Sequence, residues 1–487
     1  MPSFDNTYAR DLAGLYEPVT PTPPADPKLV VLNEGLAHTL GLDLAELRER
    51  GAAWLSGAEV PEGAAPLAQA YAGHQFGGLS PQLGDGRALL LGELLSPDGR
   101  RWDLHLKGTG RTPYSRGGDG KAALGPMLRE YVIGEAMHAL GVPTTRMLAV
   151  VATGEPVYRE RPLPGAVVAR VAASHLRIGT FEYFAIRGDT ERLQQLLTYA
   201  LKRHGPAEPG SNPALTLLTA VRDRQARLVA AWMGVGFIHG VMNTDNVTIS
   251  GETIDFGPCA FMDAHDPTTV FSSIDHHGRY AYGRQPQITA WNLSRLASAL
   301  LPLIDADADA AVRKAQEVLA AYPEVYRESW LTVMRTKLGL EGEQPGDSTR
   351  IRDLAELMAT ASPDHTLTFR SLGAALRGDP NAFLRHFDAT SVAQEAKAWL
   401  DAWTERVARG KDAASVATKL DATNPLYVPR NHLVEEALEA ATAGDLQPFR
   451  ELLNVVTAPF EDREGRESYA EPAPKAFTSC YQTFCGT

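Results

Sequence analysis

Residues 239–257 read H-G-V-M-N-T-D-N-V-T-I-S-G-E-T-I-D-F-G. Two short apolar runs, Val247–Ile249 and Thr253–Ile254, flank a Ser250–Gly251 turn, and the pattern predicts a compact β-hairpin. Asp245 and Asn246 stand just before it, and Asp255 just after it. A hairpin returns its ends to one place, so these three oxygen-bearing side chains are expected to converge. Hard oxygen donors in that setting suit Mg²⁺ or Mn²⁺ holding nucleotide phosphates.

Working outward, the stretch resembles the catalytic loop and D-F-G of protein-kinase-like folds. Those loops place an aspartate two residues after the histidine, or after H-G in small-molecule kinases, to accept the substrate proton. With His239 and Asn246 set in that frame, the position holds Val241. Valine takes no proton, so the site is either silent or built for chemistry other than γ-phosphoryl transfer.

Upstream lie the parts a nucleotide site needs. Residues 70–87, A-Y-A-G-H-Q-F-G-G-L-S-P-Q-L-G-D-G-R, read by composition as a surface loop. They lead, however, into an apolar run, Ala88–Leu95, a Pro-Asp-Gly turn, and the alternating W-D-L-H-L-K that ends at Lys107. Gly84 and Gly86 let backbone N–H groups approach phosphate, and Arg87 adds a charge. Lys107 opens a glycine- and cation-rich insert, residues 108–120, with Arg111, Arg116 and Asp119, and Lys121 directly behind it. A helix follows from Leu124 to Leu140, stopped by Gly141 and Pro143, with Glu130 and Glu135 as candidate partners for Lys107. Val150–Arg161 suggests another hairpin, and Ala166–Val171 a strand carrying Arg170. Arg177 comes soon after, where an ordinary structural ion pair is an equal reading.

Elsewhere the pattern is mostly helical. Leu29–Arg50 has helical leucine spacing, whereas the proline-rich residues 1–28 read as an extended arm. Thr190–His204 and Pro213–Gly234 are expected helices, the second running straight into His239, and Ala290–Leu303 is a further one. Ala308–Leu340, Arg350–Ala361, Ser391–Arg409 and Leu433–Val456 predict a helical C-terminal region. The adjacent His276 and His277 read as local hydrogen bonders rather than metal ligands.

The 487 residues carry a net charge of −12, with 44% hydrophobic and 22% charged side chains. This is ordinary globular composition, and the acidic balance weighs against a nucleic-acid binder. No run approaches the roughly 20 apolar residues of a bilayer span, and the N-terminus has no secretory pattern, so a cytoplasmic location is expected. Three cysteines, Cys259, Cys480 and Cys485, make neither a disulfide framework nor a zinc pattern.

K-G-T-G-R-T-P-Y-S-R-G-G-D-G, H-G-V-M-N-T-D-N and D-F-G-P together resemble the selenoprotein O (YdiU) family. A-Y-A-G-H-Q-F-G and N-P-L-Y-V-P-R-N-H extend the likeness from about residue 30 to the last residues. The resemblance implies an α+β, protein-kinase-like bilobal fold. Its expected divisions are an N-terminal extension (1–80), a β-rich N-lobe (81–172), a helical C-lobe (173–340) and a helical C-terminal region (341–487). It also implies AMP transfer from ATP, or UMP from UTP, to Ser, Thr or Tyr hydroxyls of proteins, with ATP bound in reverse of the kinase orientation. Carried over by motif, Gly84, Gly86, Arg87, Lys107, Asp119, Gly120, Arg170 and Arg177 contact nucleotide, with Lys107 paired to Glu130. Asp245 is the base, and Asn246 and Asp255 hold Mg²⁺ or Mn²⁺. Family members often carry selenocysteine or cysteine third from the end, where Cys485 stands. Some bacterial members pair it with an activation-loop cysteine, but T-V-F-S-S-I-D-H here has none, leaving Cys259 or Cys480 as candidates. A small-molecule phosphotransferase and an inactive nucleotide-binding scaffold are the competing readings.

Overall fold

Alternation along one strand organises the fold. In β7 (Arg101–Lys107), Leu104 and Leu106 face one way, while Asp103, His105 and Lys107 face the other. The computed structural model describes residues 4–207, 210–388 and 390–484. The other strands of its main sheet are β1 (Tyr16–Pro18), β2 (Lys28–Leu32), β3 (Leu67–Gln69), β6 (Ala88–Leu95), β8 (Ala122–Ala123), β9 (Arg146–Tyr158) and β10 (Pro162–Ala172). The order is β1-β3-β6-β7-β10-β9-β2, with β8 added to β10, and every pairing is antiparallel. The short hairpin of β4 (Gly73–Gln75) and β5 (Gly78–Ser80) stands apart.

One face of the sheet buries Leu89, Leu104, Leu106, Val167 and Ala169 against α2 (Glu34–Thr39) and α3 (Leu44–Ser56). The other face packs Val150, Ala166 and Val168 on α4 (Leu124–Ala139) through Met127, Leu128 and Val132. Two C-terminal helices, Asn431–Thr442 and Gln447–Val456, cover the far side of α4 with Val434, Ala437, Phe449 and Leu452. The glutamate-bearing helix is therefore clamped between the sheet and the end of the chain.

The helical body contains α5 (Ile178–Ala185), α6 (Thr190–His204), α7 (Pro213–Val235) and α8 (Gln285–Ile304) around one apolar core. Helix α7 is capped by the Asn212 side chain at its start and by Gly236, at φ +70°, at its end. Beyond it, Asp347–Ala361, His365–Leu376, Ala393–Ala408 and Ala413–Thr423 enclose a separate core holding Phe369, Phe383, Trp399 and Trp403. Among the described residues no helix is long and apolar enough to cross a membrane.

Several local expectations are corrected. The 247–254 hairpin does not form: Thr248 bridges Arg177 and Thr253 bridges Thr144. Those runs are too short to pair alone, and the Thr248 hydroxyl closes the turn between them, donating to Glu252 O and accepting from Glu252 N. What returns the chain is the pair β11 (Phe237–Ile238) with β12 (Ala260–Phe261), which brackets the whole loop. Leu29 and Leu32 lie in a strand, because the helical spacing there spans a strand and a later helix. The 1–28 arm contains helix α1 (Thr7–Asp11) and an edge strand. The turn expected within 150–161 falls after Tyr158, between β9 and β10. Ala308–Leu340 divides into Ala308–Ala320 and Tyr322–Lys337.

Candidate active site

Lys107 closes β7 and Arg170 lies on the neighbouring β10, so sheet register carries both cations to one edge. Glu130 reaches them from α4: Lys107 Nζ lies 2.7 Å from Glu130 Oε1 and 2.8 Å from Asp255 Oδ1. Arg170 Nη1 is also 2.8 Å from Asp255 Oδ1, and Arg177 Nη1 is 3.2 Å from Oδ2. Arg177 Nη1 also donates to the Asp245 carbonyl at 2.8 Å, tying the two ends of the 245–255 loop. Asp255 holds a left-handed φ of +62°, uncommon for a residue with a side chain.

Three cations thus meet two carboxylates in a buried space. The Nε–H groups of Arg170 and Arg177 are buried and find no partner among the described residues. Three cations against two carboxylates leave the cluster net positive, and Arg suits phosphate oxygens in particular.

Asp245 lies in the opposite environment. It is buried; its Oδ1 has no hydrogen-bond partner among the described residues, and its Oδ2 accepts only a long bond from Gln75 Nε2 at 3.4 Å. Burial pushes its carboxyl up to about 6, against the opposing pull of Arg177. Asp255, half-buried, is held well below the usual carboxylate range because Lys107, Arg170 and Arg177 outweigh its desolvation. One carboxylate is poised to take a proton; the other is permanently ionised.

The β4–β5 hairpin, read from composition as surface loop, lies against this loop. His74 N donates to Thr244 Oγ1 at 2.7 Å, Thr244 donates to Glu182, and the His74 ring contacts the same carboxylate. Phe76 N donates to Asn243 Oδ1 at 3.1 Å. A Cβ at Gly73 would collide with Asp245 Oδ1, so only glycine lets the hairpin come this close. The G-H-Q within residues 70–80 was the available signal; nothing local in the sequence marks Glu182 as the clamp. Arg430 was also missed. It is fully buried and joins Asp263, at 2.6 Å, to Asp364, at 2.8 Å, which ties the segment after D-F-G to the C-terminal helices.

Lys107, Glu130, Arg170, Arg177, Asp245 and Asp255 therefore form one contiguous cluster. Gly84 and Gly86 pack against Tyr114, where side chains would clash, and Gly84 has φ +69°. The Arg87 carbonyl accepts from Gly108 N at 2.7 Å. Asp119 instead pairs with Arg159 at 2.8 Å and accepts from Lys121 N at 2.9 Å; Gly120 is pressed against the Gly110 carbonyl at φ +68°. Asn246 Nδ2 donates to Val241 O at 2.9 Å, leaving the amide oxygen without a hydrogen-bond partner among the described residues. Val241 itself is buried.

For a divalent cation the available donors are the Asn246 amide oxygen and the Asp255 carboxylate. Among the described residues no group of three or more His, Cys, Asp or Glu is arranged to hold a metal. Two hard oxygen donors suit a Mg²⁺-type ion that takes its other ligands from phosphate and water. Cys259 is buried, its thiol pushed up to about 12 by desolvation, while Cys480 is exposed. Cys485 lies outside the described residues. Near the end of the described chain, Thr483 pairs with Ser272 and donates to Pro258 O at 2.6 Å.

The profile of the family described as protein adenylyltransferase SelO matches residues 3–457. A protein nucleotidyltransferase YdiU of Cereibacter sphaeroides is 58% identical over 486 residues, covering 99% of each chain. One of the same name from Rhizobium etli is 55% identical over 488 residues, covering 100% of this chain and 97% of its own. With its length matched almost end to end, the chain belongs to the protein adenylyltransferase SelO family, a family of nucleotidyl-transfer enzymes.

Proposed function

We propose that this protein transfers AMP from ATP, with UTP as an alternative donor of UMP, to Ser, Thr or Tyr hydroxyls of cytoplasmic proteins. The observation that carries the reading is the pairing of opposites at one loop. Asp245 is buried with a proton affinity near neutrality, while Asp255 is ionised under three cations. The kinase position for a base is the buried Val241. The fold is read as a kinase-like bilobal one: residues 81–172 as the small lobe, whose sheet residues 1–80 extend with three strands, 173–340 as the large lobe, and 341–487 as a helical buttress.

Asp245 takes the proton of the acceptor hydroxyl as its oxygen bonds to the α-phosphorus. The bond from that phosphorus to the bridging oxygen breaks, and pyrophosphate leaves. Lys107, Arg170 and Arg177 hold phosphate oxygens, and Glu130 orients Lys107. Gly84, Gly86 and Arg87 line the nucleotide from the loop before β6, with Asp119 and Gly120 from the insert. Asn246 and Asp255 hold Mg²⁺ or Mn²⁺, which neutralises developing phosphate charge when bound.

ATP labelled at either the α- or the γ-phosphate tests the reading. Protein-bound label from the α-position is the expected result. Transfer from the γ-position alone would establish a phosphotransferase and overturn the proposal. Binding without transfer of either label would establish a scaffold.

A further inference from the structure

The buried face of β7 carries a polar side chain that the chemistry above does not use. His105 is fully buried two residues before Lys107, on the same face, and directly opposite Arg170 in the β7–β10 register. Its Nδ1 lies 3.4 Å from Arg170 Nη2, and its Nε2 lies 3.3 Å from Asp85 Oδ2. A guanidinium can only donate, so Nδ1 must be the acceptor and the ring proton must sit on Nε2, facing Asp85. The tautomer is therefore fixed by its two neighbours.

Each end of this contact leads to the nucleotide site. Asp85 lies between Gly84 and Gly86, buried, and its Oδ2 also accepts Gln69 N at 3.0 Å. Arg170 continues to Asp255 Oδ1 at 2.8 Å. The His105 ring is fixed from the side by His175, stacked at 4.2 Å between centroids, which is itself anchored to Asp103. Burial lowers the proton affinity of both imidazoles, keeping them neutral, the state in which Nδ1 can accept.

We propose that His105 is a positioning residue for nucleotide binding. It locks the Arg170 guanidinium in the orientation that holds Asp255 at the nucleotide site, and it couples that orientation to the glycine loop through Asp85. This rests on the nucleotide reading above. A purely structural histidine would affect stability alone; a positioning one also affects ATP affinity, in a way that an acceptor at the Nδ1 position restores.

The test compares His105→Leu, which fills space without an acceptor, with His105→Asn, whose side-chain amide can present an oxygen near the Nδ1 position. ATP Kd is measured by titration calorimetry on the full chain, with Tm and the KM and kcat of α-label transfer alongside. His105→Leu is expected to raise Kd and KM about tenfold, the scale of one hydrogen bond to a charged group, with kcat changing less than KM. His105→Asn is expected to recover most of that loss while its Tm stays reduced. Equal Tm losses with wild-type Kd in both variants would overturn the proposal. If His105→Leu does not fold, Asp85→Ala takes its place. It frees the ring to change tautomer, so it should raise Kd alone yet add little on top of His105→Asn; fully additive effects would overturn the coupling. Should the parent chain bind ATP but transfer no α-label, the transfer reading fails while the Kd series still decides the role of His105.

Discussion

Asp245 and Asp255 end the same short loop and share one neighbour, Arg177, yet their surroundings act in opposite directions. Around Asp255, three cations and a left-handed backbone hold an ionised carboxylate. Around Asp245, a glycine-edged hairpin and buried walls leave one oxygen with no hydrogen-bond partner among the described residues and supply one weak hydrogen bond to the other. Arg177 explains how both states coexist. It gives its side-chain donor to the Asp255 carboxylate, but only to the backbone carbonyl of Asp245. A single guanidinium thus hydrogen-bonds one carboxylate and acts on the other only through space, where burial outweighs it.

Removing the ionised member should do the most damage. In the proposed mechanism Asp255→Asn is expected to lower AMP transfer by roughly ten-thousandfold, since several kcal/mol of phosphate charge stabilisation would depend on this carboxylate. Its Tm should also fall, because buried Lys107 and Arg170 lose a partner. In the parent chain this acid's folded proton affinity lies below the unfolded 3.8, so its stabilisation is present above that pH and is lost as pH falls further. Wild-type-like transfer in Asp255→Asn would break the comparison.

Asp245→Asn sharpens it, because activity and stability should move in opposite directions. Loss of the proposed base is expected to lower kcat about a thousandfold. The parent carboxyl titrates at about 6 folded and 3.8 unfolded, so the native state binds the extra proton between those values and stability falls as pH rises through that window. Above it, Asp245→Asn should be more stable than the parent by up to about 3 kcal/mol, a gain that vanishes toward pH 3.8. Denaturant titrations across that range check the sign. The same group predicts an ascending limb near pH 6 in the kcat/KM profile of the parent.

This contrast was only half legible in the sequence. The residue types at 245, 246 and 255, the Lys107 strand and the Glu130 helix could be read because each lies in a strongly patterned segment. Alternation carries Lys107, and a helix with regularly spaced apolar residues and a stop at Gly141 and Pro143 carries Glu130. The backbone of the loop was misread, because apolar runs of two or three residues pair with whatever strand lies nearest, here segments 143–145 and 176–178. Partners distant in sequence left no local trace: Glu182 under Thr244, Arg430 between Asp263 and Asp364, and the C-terminal helices behind α4. Helices His365–Leu376 and Ala413–Thr423 were missed for a related reason, since their buried faces include small or polar residues such as Thr368, Gly373 and Ala417.

The β4–β5 hairpin allows finer changes, because it alters the surroundings of Asp245 without touching Asp255. Gly73→Ala places a methyl group against Asp245 Oδ1, so the base or the hairpin must move. Misplacing a reacting group by about 1 Å costs about a hundredfold, and that loss is expected in kcat with ATP Kd unchanged. Equal changes in both constants would place the hairpin's influence on the nucleotide instead.

Gln75→Ala should have the smallest effect and be the most specific. Its long bond to Oδ2 favours the ionised carboxylate, and removing it leaves burial less opposed. The ascending limb should therefore shift to higher pH. Far above that limb, kcat should fall only about threefold, within the range of one weak hydrogen bond. A limb that stays in place while kcat falls would mean that Gln75 acts on the incoming hydroxyl rather than on the proton affinity of Asp245. A limb that moves to lower pH would mean that the amide presents its oxygen, not its N–H, to the carboxylate. The direction of the shift therefore tells which atom of Gln75 faces Asp245, and its size how much of the difference between the two aspartates comes from the hairpin rather than from burial alone.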